Sequence, residues 1–166
     1  MKTNILHLIL TLSILLIFAS CSSDAMDLIA DKASAKSVSY SYNSDEIDTI
    51  ESINDYRESI GLNRLEKLSF LSVKADEHTN YMIDKAVASH DGFTKRCNEV
   101  IKTVSASKVG ENVAFNYNLS SKAFDAWLKS SKHKENIEGN FTHIGVAITK
   151  SDKTGKKYYT TIFAKI

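Results

Sequence analysis

Proline is absent from this 166-residue chain, which excludes cis-proline turns and proline-rich linkers. Only two cysteines are present, so a dense disulfide framework is excluded as well. Because 21 basic residues face 20 acidic ones, a basic surface for nucleic acid is not expected. The sequence also lacks internal repeats and the HExxH, GxSxG, phosphate-loop and paired CxxC motifs. The remaining composition, 43% hydrophobic and 25% charged, is typical of an ordinary globular domain.

The longest apolar run covers residues 5–18 and follows a single lysine, Lys2. It is shorter than the about 20 apolar residues that a membrane span needs, and it is typical of a secretory signal. The run ends in Phe18-Ala19-Ser20-Cys21, which resembles the lipobox of bacterial lipoproteins, although Phe18 stands where leucine is more frequent. The resemblance implies cleavage after Ser20 and a lipid such as palmitate on Cys21. An ordinary cleaved signal with an incidental Cys21 is the alternative.

These features divide the chain into a lipoprotein signal peptide (1–20), a lipidated tether (21–43) and one folded domain (44–166). The tether is rich in serine and poor in large apolar side chains. Val38, Tyr40 and Tyr42 alternate with serines, so this end of the tether also has the pattern of a short strand. Lipidation of Cys21 would leave Cys97 without a partner, and a buried, inert thiol is then expected.

Helical patterns come first in the domain and strand patterns come late. Asn43 and Glu46 predict a capping box at a first helix, and further helices are predicted over about 68–85, 94–104 and 120–131. Residues 144–148 and 158–162 alternate as in a β-hairpin, and 109–115 is a third strand candidate. This order predicts an α+β fold.

The candidate chemistry lies in four histidines and one glutamate that stands at the head of an apolar segment. They are His78, His90, His133 and His143, with Glu111 in Gly110-Glu111-Asn112. His78 lies on an apolar helix face and is expected to be a hydrogen-bonded core residue, whereas His143 is expected at the surface. Glu111 and His133 admit two interpretations, a functional cleft or a buried pair that pins a helix to the sheet. Spacing alone does not bring His90, Glu111 and His133 together.

These candidate residues belong to a longer ordered set of positions that runs from about residue 54 to residue 164. They are Asn54, Arg57, Gly61, Leu62, Leu65, Leu71, Ala75, His78, Met82, Ser89, His90, Arg96, Gly110-Glu111-Asn112-Val113-Ala114, Trp127, Ser130, His133, Asn136, Ile137, Phe141, Thr142, Ile144-Gly145-Val146, Tyr159, Phe163 and Ala164. Taken in order, these residues resemble the CAP superfamily of cysteine-rich secretory, antigen 5 and pathogenesis-related proteins, also called SCP-like, in its compact bacterial branch.

The resemblance implies a three-layer α-β-α sandwich with a central antiparallel sheet. It also implies a cleft in which His90, Glu111 and His133 hold a divalent metal such as zinc, with Asn112 and Ser130 as supporting residues. Larger members place a second glutamate approximately where this chain has Ser130, so a full tetrad is not expected. Three ligands would leave an open position on the metal.

The function expected from the sequence is that of a binding module in the bacterial cell envelope, either periplasmic or at the outer membrane or cell surface. It would be anchored to the membrane through Cys21 and take a metal, small-molecule or lipid ligand; the sequence indicates no particular protein partner. A metal-dependent hydrolase with Glu111 as base is one alternative. A non-catalytic structural or interaction lipoprotein is the other.

Overall fold

The computed structural model of this protein describes residues 38–166. The signal peptide, Cys21 and residues 22–37 lie outside the described residues, so the predicted lipidation site and most of the predicted tether do too. Five helices and four strands occur in the described part of the chain. In order they are α1 (Ser44–Ser59), β1 (Glu66–Lys67), α2 (Ser69–Lys85), α3 (Phe93–Val104), β2 (Lys108–Phe115), α4 (Ser120–Lys129), α5 (Ser131–Ile137), β3 (His143–Lys150) and β4 (Lys157–Lys165).

The predicted capping box at the start of α1 is confirmed. The Asn43 side chain accepts a hydrogen bond from the Glu46 amide, and the Glu46 carboxylate accepts one from the Asn43 amide. Glu46 is buried and also accepts bonds from the Tyr40 hydroxyl and the Ile148 amide, so it links the chain entry, α1 and β3. Residues 38–43 form no strand, although Tyr40 and Tyr42 pack against the domain.

The strands form one sheet in the order β1-β3-β4-β2. The predicted hairpin β3–β4 and the third strand β2 are confirmed, and both of their pairings are antiparallel. The sheet is nevertheless mixed, because the unpredicted two-residue strand β1 pairs with β3 in parallel. A strand of two exposed residues carries no alternating pattern, which is why the sequence did not indicate it.

Helices cover both faces of the sheet, which confirms the α-β-α sandwich. Alternate residues of β3 and β4 point to opposite faces. On one face α1, α4 and α5 enclose a core built around Trp127, Ile144 and Phe163. On the other face α2 and α3 pack their apolar side chains, such as Leu71 and Val100, onto Ala147 and Ile162.

The close approach of α2 to the sheet depends on Gly145. A Cβ atom at this position would lie 2.3 Å from the Ser72 amide nitrogen and 2.4 Å from the Leu71 carbonyl carbon. The Ser72 hydroxyl uses this approach to accept a hydrogen bond from the Val146 amide. Helix α2 is thereby fixed on the face of the sheet that also carries Glu111.

Candidate functional site at the open edge of the sheet

Strand β2 is an edge of the sheet, and the candidate residues gather around it. Consecutive residues of a strand point to opposite faces. Accordingly, the Glu111 side chain bonds to Arg96 of α3 and to His90 in the loop between α2 and α3. The Asn112 side chain points the other way and bonds to α5. The site is therefore built from both helical layers where they meet at the open edge.

The carboxylate of Glu111 is buried and is hydrogen-bonded to the guanidinium of Arg96 and the imidazole of His90. The Glu111 side chain is 1% exposed. The guanidinium of Arg96 on α3 donates from Nε to Oε2 at 2.9 Å and from Nη2 to Oε1 at 3.0 Å. The ring Nδ1 of His90 lies 2.8 Å from the same Oε1. A buried carboxylate with this set of partners is compensated, as a charge at such depth must be.

His90 stands in the loop between α2 and α3 with its side chain 48% exposed. In the tautomer in which Nδ1–H donates to Glu111, Nε2 carries the free lone pair. No other residue of the range 38–166 occupies that Nε2. The loop is fixed at its base, because the Arg96 guanidinium also donates to the Asp91 carbonyl at 2.8 Å.

His78 lies behind this pair and is a hydrogen-bonded core histidine, as predicted. It is 2% exposed, and its Nε2 lies 2.7 Å from the Ser89 carbonyl oxygen. The same Nε2 is 3.9 Å from Glu111 Oε1. Burial lowers the pKa of His78 below its ordinary value, and this outweighs the opposing effects of the Ser89 carbonyl and Glu111. Its Nδ1 is buried without a hydrogen-bond partner in the described part of the chain.

His133 approaches from the other helical layer. Its carbonyl oxygen accepts a hydrogen bond from the Asn112 side chain at 2.9 Å. Asn136, one turn later on α5, donates to the Glu111 carbonyl and to Asn112 Oδ1. Gly110 permits this contact, since a Cβ there would lie 2.7 Å from Asn136 Oδ1. The Gly-Glu-Asn sequence thus fixes α5 to β2.

The rings of His90 and His133 are neighbours, with their centroids 6.3 Å apart and their planes tilted by 39°. Burial lowers the pKa of His133, and the neighbouring His90 lowers it further. Both effects favour the neutral imidazole at neutral pH, which is the form that ligates metals.

The alternative pairing of Glu111 with His133 is wrong. The carboxylate of Glu111 is bonded to Arg96 and His90, and His133 is attached to β2 through its main chain. The reason is the alternation of β2, which turns Glu111 away from α5. Arg96 entered the sequence analysis only among the positions that match the CAP family. Its place one turn into α3 did not indicate that it pairs with Glu111.

Three other expectations need correction. The helix predicted over about 120–131 ends at Lys129, because Ser130 has extended backbone at the break between α4 and α5. His143 is partly buried, with its side chain 23% exposed, because β1 covers the strand beside it. Cys97 is half-buried rather than fully interior. Trp127 lies in the core, and its indole N–H donates to the Val113 carbonyl.

The predicted three-ligand metal site does not fit the residues present. The Glu111 carboxylate is occupied, and the guanidinium cation against it opposes a second cation. Within residues 38–166 no group of three or more His, Cys, Asp or Glu side chains is arranged to hold a metal ion. The two imidazoles are a different case. His90 and His133 would each offer one ring nitrogen to an ion such as zinc.

A shallow cavity of about 420 Å³ adjoins the site between α2 and α3. His78 and Arg96 form part of its wall, together with Tyr81 and Asp91, whose side chains are hydrogen-bonded to each other at 3.0 Å. Most charged side chains of this wall are paired within the protein; Glu77 and Glu99, for example, both form ion pairs with Lys74.

A sequence profile described as CAP, the cysteine-rich secretory protein family, matches residues 50–163. The chain belongs to this family. The match covers every residue of the candidate site and confirms the resemblance drawn from the sequence motifs.

Solved structures of several bacterial proteins have the same fold. An outer surface protein from Borrelia burgdorferi superposes with a TM-score of 0.67 at 21% identity, covering 76% of this chain and 96% of that one. An extracellular protein containing an SCP domain from Bacillus anthracis gives a TM-score of 0.64 at 23% identity, covering 90% and 45%. A cysteine-rich secretory protein from Staphylococcus aureus gives 0.62 at 19% identity, covering 84% and 48%.

A curated relative, the uncharacterized membrane protein YlbC of Bacillus subtilis, is 35% identical over 63 residues. The match covers 37% of this chain and 16% of the relative's length. Among residues 38–166 of this chain, no helix is long and apolar enough to cross a membrane.

Proposed function

We propose that this CAP protein is an extracytoplasmic binding module, anchored to the membrane through a lipid on Cys21. Its His90–His133 pair holds a divalent metal of the zinc class, alone or together with the polar end of a small-molecule or lipid ligand. The motif at Cys21 supports the anchor. The Borrelia neighbour described as an outer surface protein and the Bacillus anthracis neighbour described as extracellular support the location.

The hydrogen bond between His90 Nδ1 and Glu111 carries the proposal. In metal sites a ligating histidine characteristically donates its other ring N–H to a carboxylate, which fixes the tautomer and raises the basicity of the ligating nitrogen. Glu111 has this supporting position, and His90 Nε2 is then the ligand atom. In turn, Arg96 holds the carboxylate. This role for Glu111 replaces the direct ligation expected from the sequence.

A hydrolase that uses Glu111 as general base is less well supported. A base must reach the proton that it abstracts, whereas Glu111 is 1% exposed at its side chain and bonded through both oxygens. The structural alternative is favoured by the same bonds, since they join α3 to the edge strand. Metal binding distinguishes that alternative from the proposed function.

The test is titration of the full chain with zinc chloride, followed by native mass spectrometry and calorimetry. We expect one zinc per chain in the wild type and none in the His90→Ala/His133→Ala double variant. His143→Ala is the matched control, because it removes a histidine from β3 outside the site and is expected to retain the metal. Circular dichroism checks that all three proteins are folded.

If the double variant and the wild type take up zinc equally, or if neither takes it up, the His90–His133 pair is not a metal site. The Arg96–Glu111–His90 network would then have only a structural role.

A further inference from the structure

The turn between β3 and β4 presents a group of lysines at one end of the sheet. We call this end the basal surface, and it is formed by Ile47, Leu119, Lys150, Lys153, Lys156 and Lys157. Lys150, Lys153 and Lys156 are exposed, and no carboxylate within residues 38–166 forms an ion pair with them. Asp152 is the one acidic residue in the turn. The turn therefore carries an excess of positive charge, with three exposed lysines and one aspartate.

Lys157 joins the turn to two other elements. Its Nζ lies 2.5 Å from Asp45 Oδ2, at the start of α1, and donates to the Asn118 carbonyl at 3.2 Å. This lysine is consequently neutralised and partly buried, unlike the three exposed ones. The contacts bring Ile47 and Leu119, the close chain neighbours of Asp45 and Asn118, to the same end of the molecule.

Ile47 and Leu119 are exposed apolar side chains, 42% and 58% accessible to solvent. A single exposed leucine or isoleucine needs no explanation. Two of them beside a set of lysines with no acidic partner form the combination that favours the interface of an anionic bilayer. There the lysines meet lipid headgroups and the apolar side chains enter the region beneath them.

The chain enters the domain at this end. The Asn43 side chain donates to the Ile148 carbonyl, two residues before Lys150, and Asn43 caps the helix that begins beside Asp45. Residues 22–37 separate Cys21 from the described part of the chain. Sixteen residues span at most about 55 Å. A lipid on Cys21 would therefore keep the domain within about that distance of the bilayer, where even weak contacts of the basal surface are populated.

We infer that the basal surface docks the domain on the anionic phospholipid surface to which the chain is attached. This inference rests on the membrane attachment in the proposed function and is independent of metal binding. Because Glu111 lies four residues from Phe115 along β2, the His90–His133 pair stands about 13 Å above the basal end. Docking would hold the binding site at a fixed height over the membrane.

The test places a tryptophan at the basal surface and measures its contact with lipid. The full chain carrying Cys97→Ser and Leu119→Trp is coupled through Cys21 to a maleimide lipid, in vesicles of phosphatidylcholine and phosphatidylserine that contain brominated lipid. Ile60→Trp is the matched control, because Ile60 is similarly exposed at the opposite end of α1. Trp127 is buried and gives a constant background.

We expect bromine to quench the tryptophan at 119 and not the one at 60, only on vesicles that contain phosphatidylserine. The Lys150→Gln/Lys153→Gln/Lys156→Gln variant is expected to lower the docking constant about fivefold per lysine, or on the order of a hundredfold in all. Equal quenching at positions 119 and 60 would overturn the inference. So would quenching at 119 that is the same without phosphatidylserine and in the variant that lacks the three lysines. The chemical coupling makes this result independent of lipidation in the cell, which the intact mass of the purified protein reports separately.

Discussion

At the scale of single residues, His78 is the group whose protonation the fold opposes most clearly. Its ring is buried, and the desolvation of the imidazolium lowers its pKa. An unfolded histidine binds a proton near pH 6.5. Below that pH the unfolded chain binds more protons than the native one, so the native state loses stability as the pH falls. His133 acts in the same direction.

We therefore expect the free energy of unfolding to fall from pH 6.5 toward pH 5, and His78→Gln to flatten this part of the profile. Glutamine retains an N–H that can donate to the Ser89 carbonyl, so the substitution is expected to keep this hydrogen bond while removing the titratable ring. Urea unfolding at a series of pH values measures both profiles. Parallel profiles for the wild type and the variant would show that His78 does not contribute to the pH dependence.

The same residue scale shows what the sequence can and cannot predict. The apolar helix face around His78 correctly predicted a hydrogen-bonded core histidine, and the Gly-Glu-Asn motif drew attention to Glu111. The partner of Glu111 was predicted less well, because an ion pair over fifteen residues depends on where a loop and a helix return in space. The period of a β-strand was nevertheless an available signal, since it places Glu111 and Asn112 on opposite faces.

At the scale of elements, the bonds of Arg96 to Glu111 fasten α3 to β2. Arg96 is 12% exposed and Glu111 1% at the side chain. Removing one partner of such a pair leaves the other as an uncompensated buried charge.

We expect Arg96→Gln to lower the free energy of unfolding by roughly 3 to 5 kcal/mol. Arg64→Gln is the matched control. Arg64 pairs with three carboxylates, Glu51, Asp55 and Glu58, but lies at the surface, where solvent screens such pairs. Chemical denaturation measures both variants. A small, equal effect of the two substitutions would mean that the burial of Glu111 does not depend on Arg96.

Elements with a long periodic pattern were predictable, and those fixed by tertiary contacts were not. The helix α1 has a capping box and the hairpin β3–β4 has clear alternation, so both lie where the sequence placed them. The strand β1 has only two residues, and the main chain just before it, at Leu65, is fixed by a tertiary contact. There the side chain of Asn54 bonds to both the carbonyl and the amide of Leu65. No local pattern reports that bond.

At the scale of the whole molecule, the two helical layers meet at the free edge of β2. His90 comes from the layer of α2 and α3, and His133 from the layer of α1, α4 and α5. The order of motifs along the chain was sufficient to identify this fold, because the CAP pattern extends over nearly the whole domain. The sequence did not reveal that the two imidazoles lie together with Glu111 behind one of them, since that depends on the edge position of β2.

The most direct test of this arrangement is long-range ¹H–¹⁵N NMR of the histidine rings in the ¹⁵N-labelled protein, before and after addition of zinc. We predict that the His90 ring carries its proton on Nδ1, where it is donated to Glu111. We also predict that zinc shifts His90 Nε2 and a ring nitrogen of His133 and leaves His78 and His143 unchanged. An Nε2–H tautomer of His90, or zinc shifts confined to other histidines, would contradict the assignment of the His90–His133 pair as the binding site.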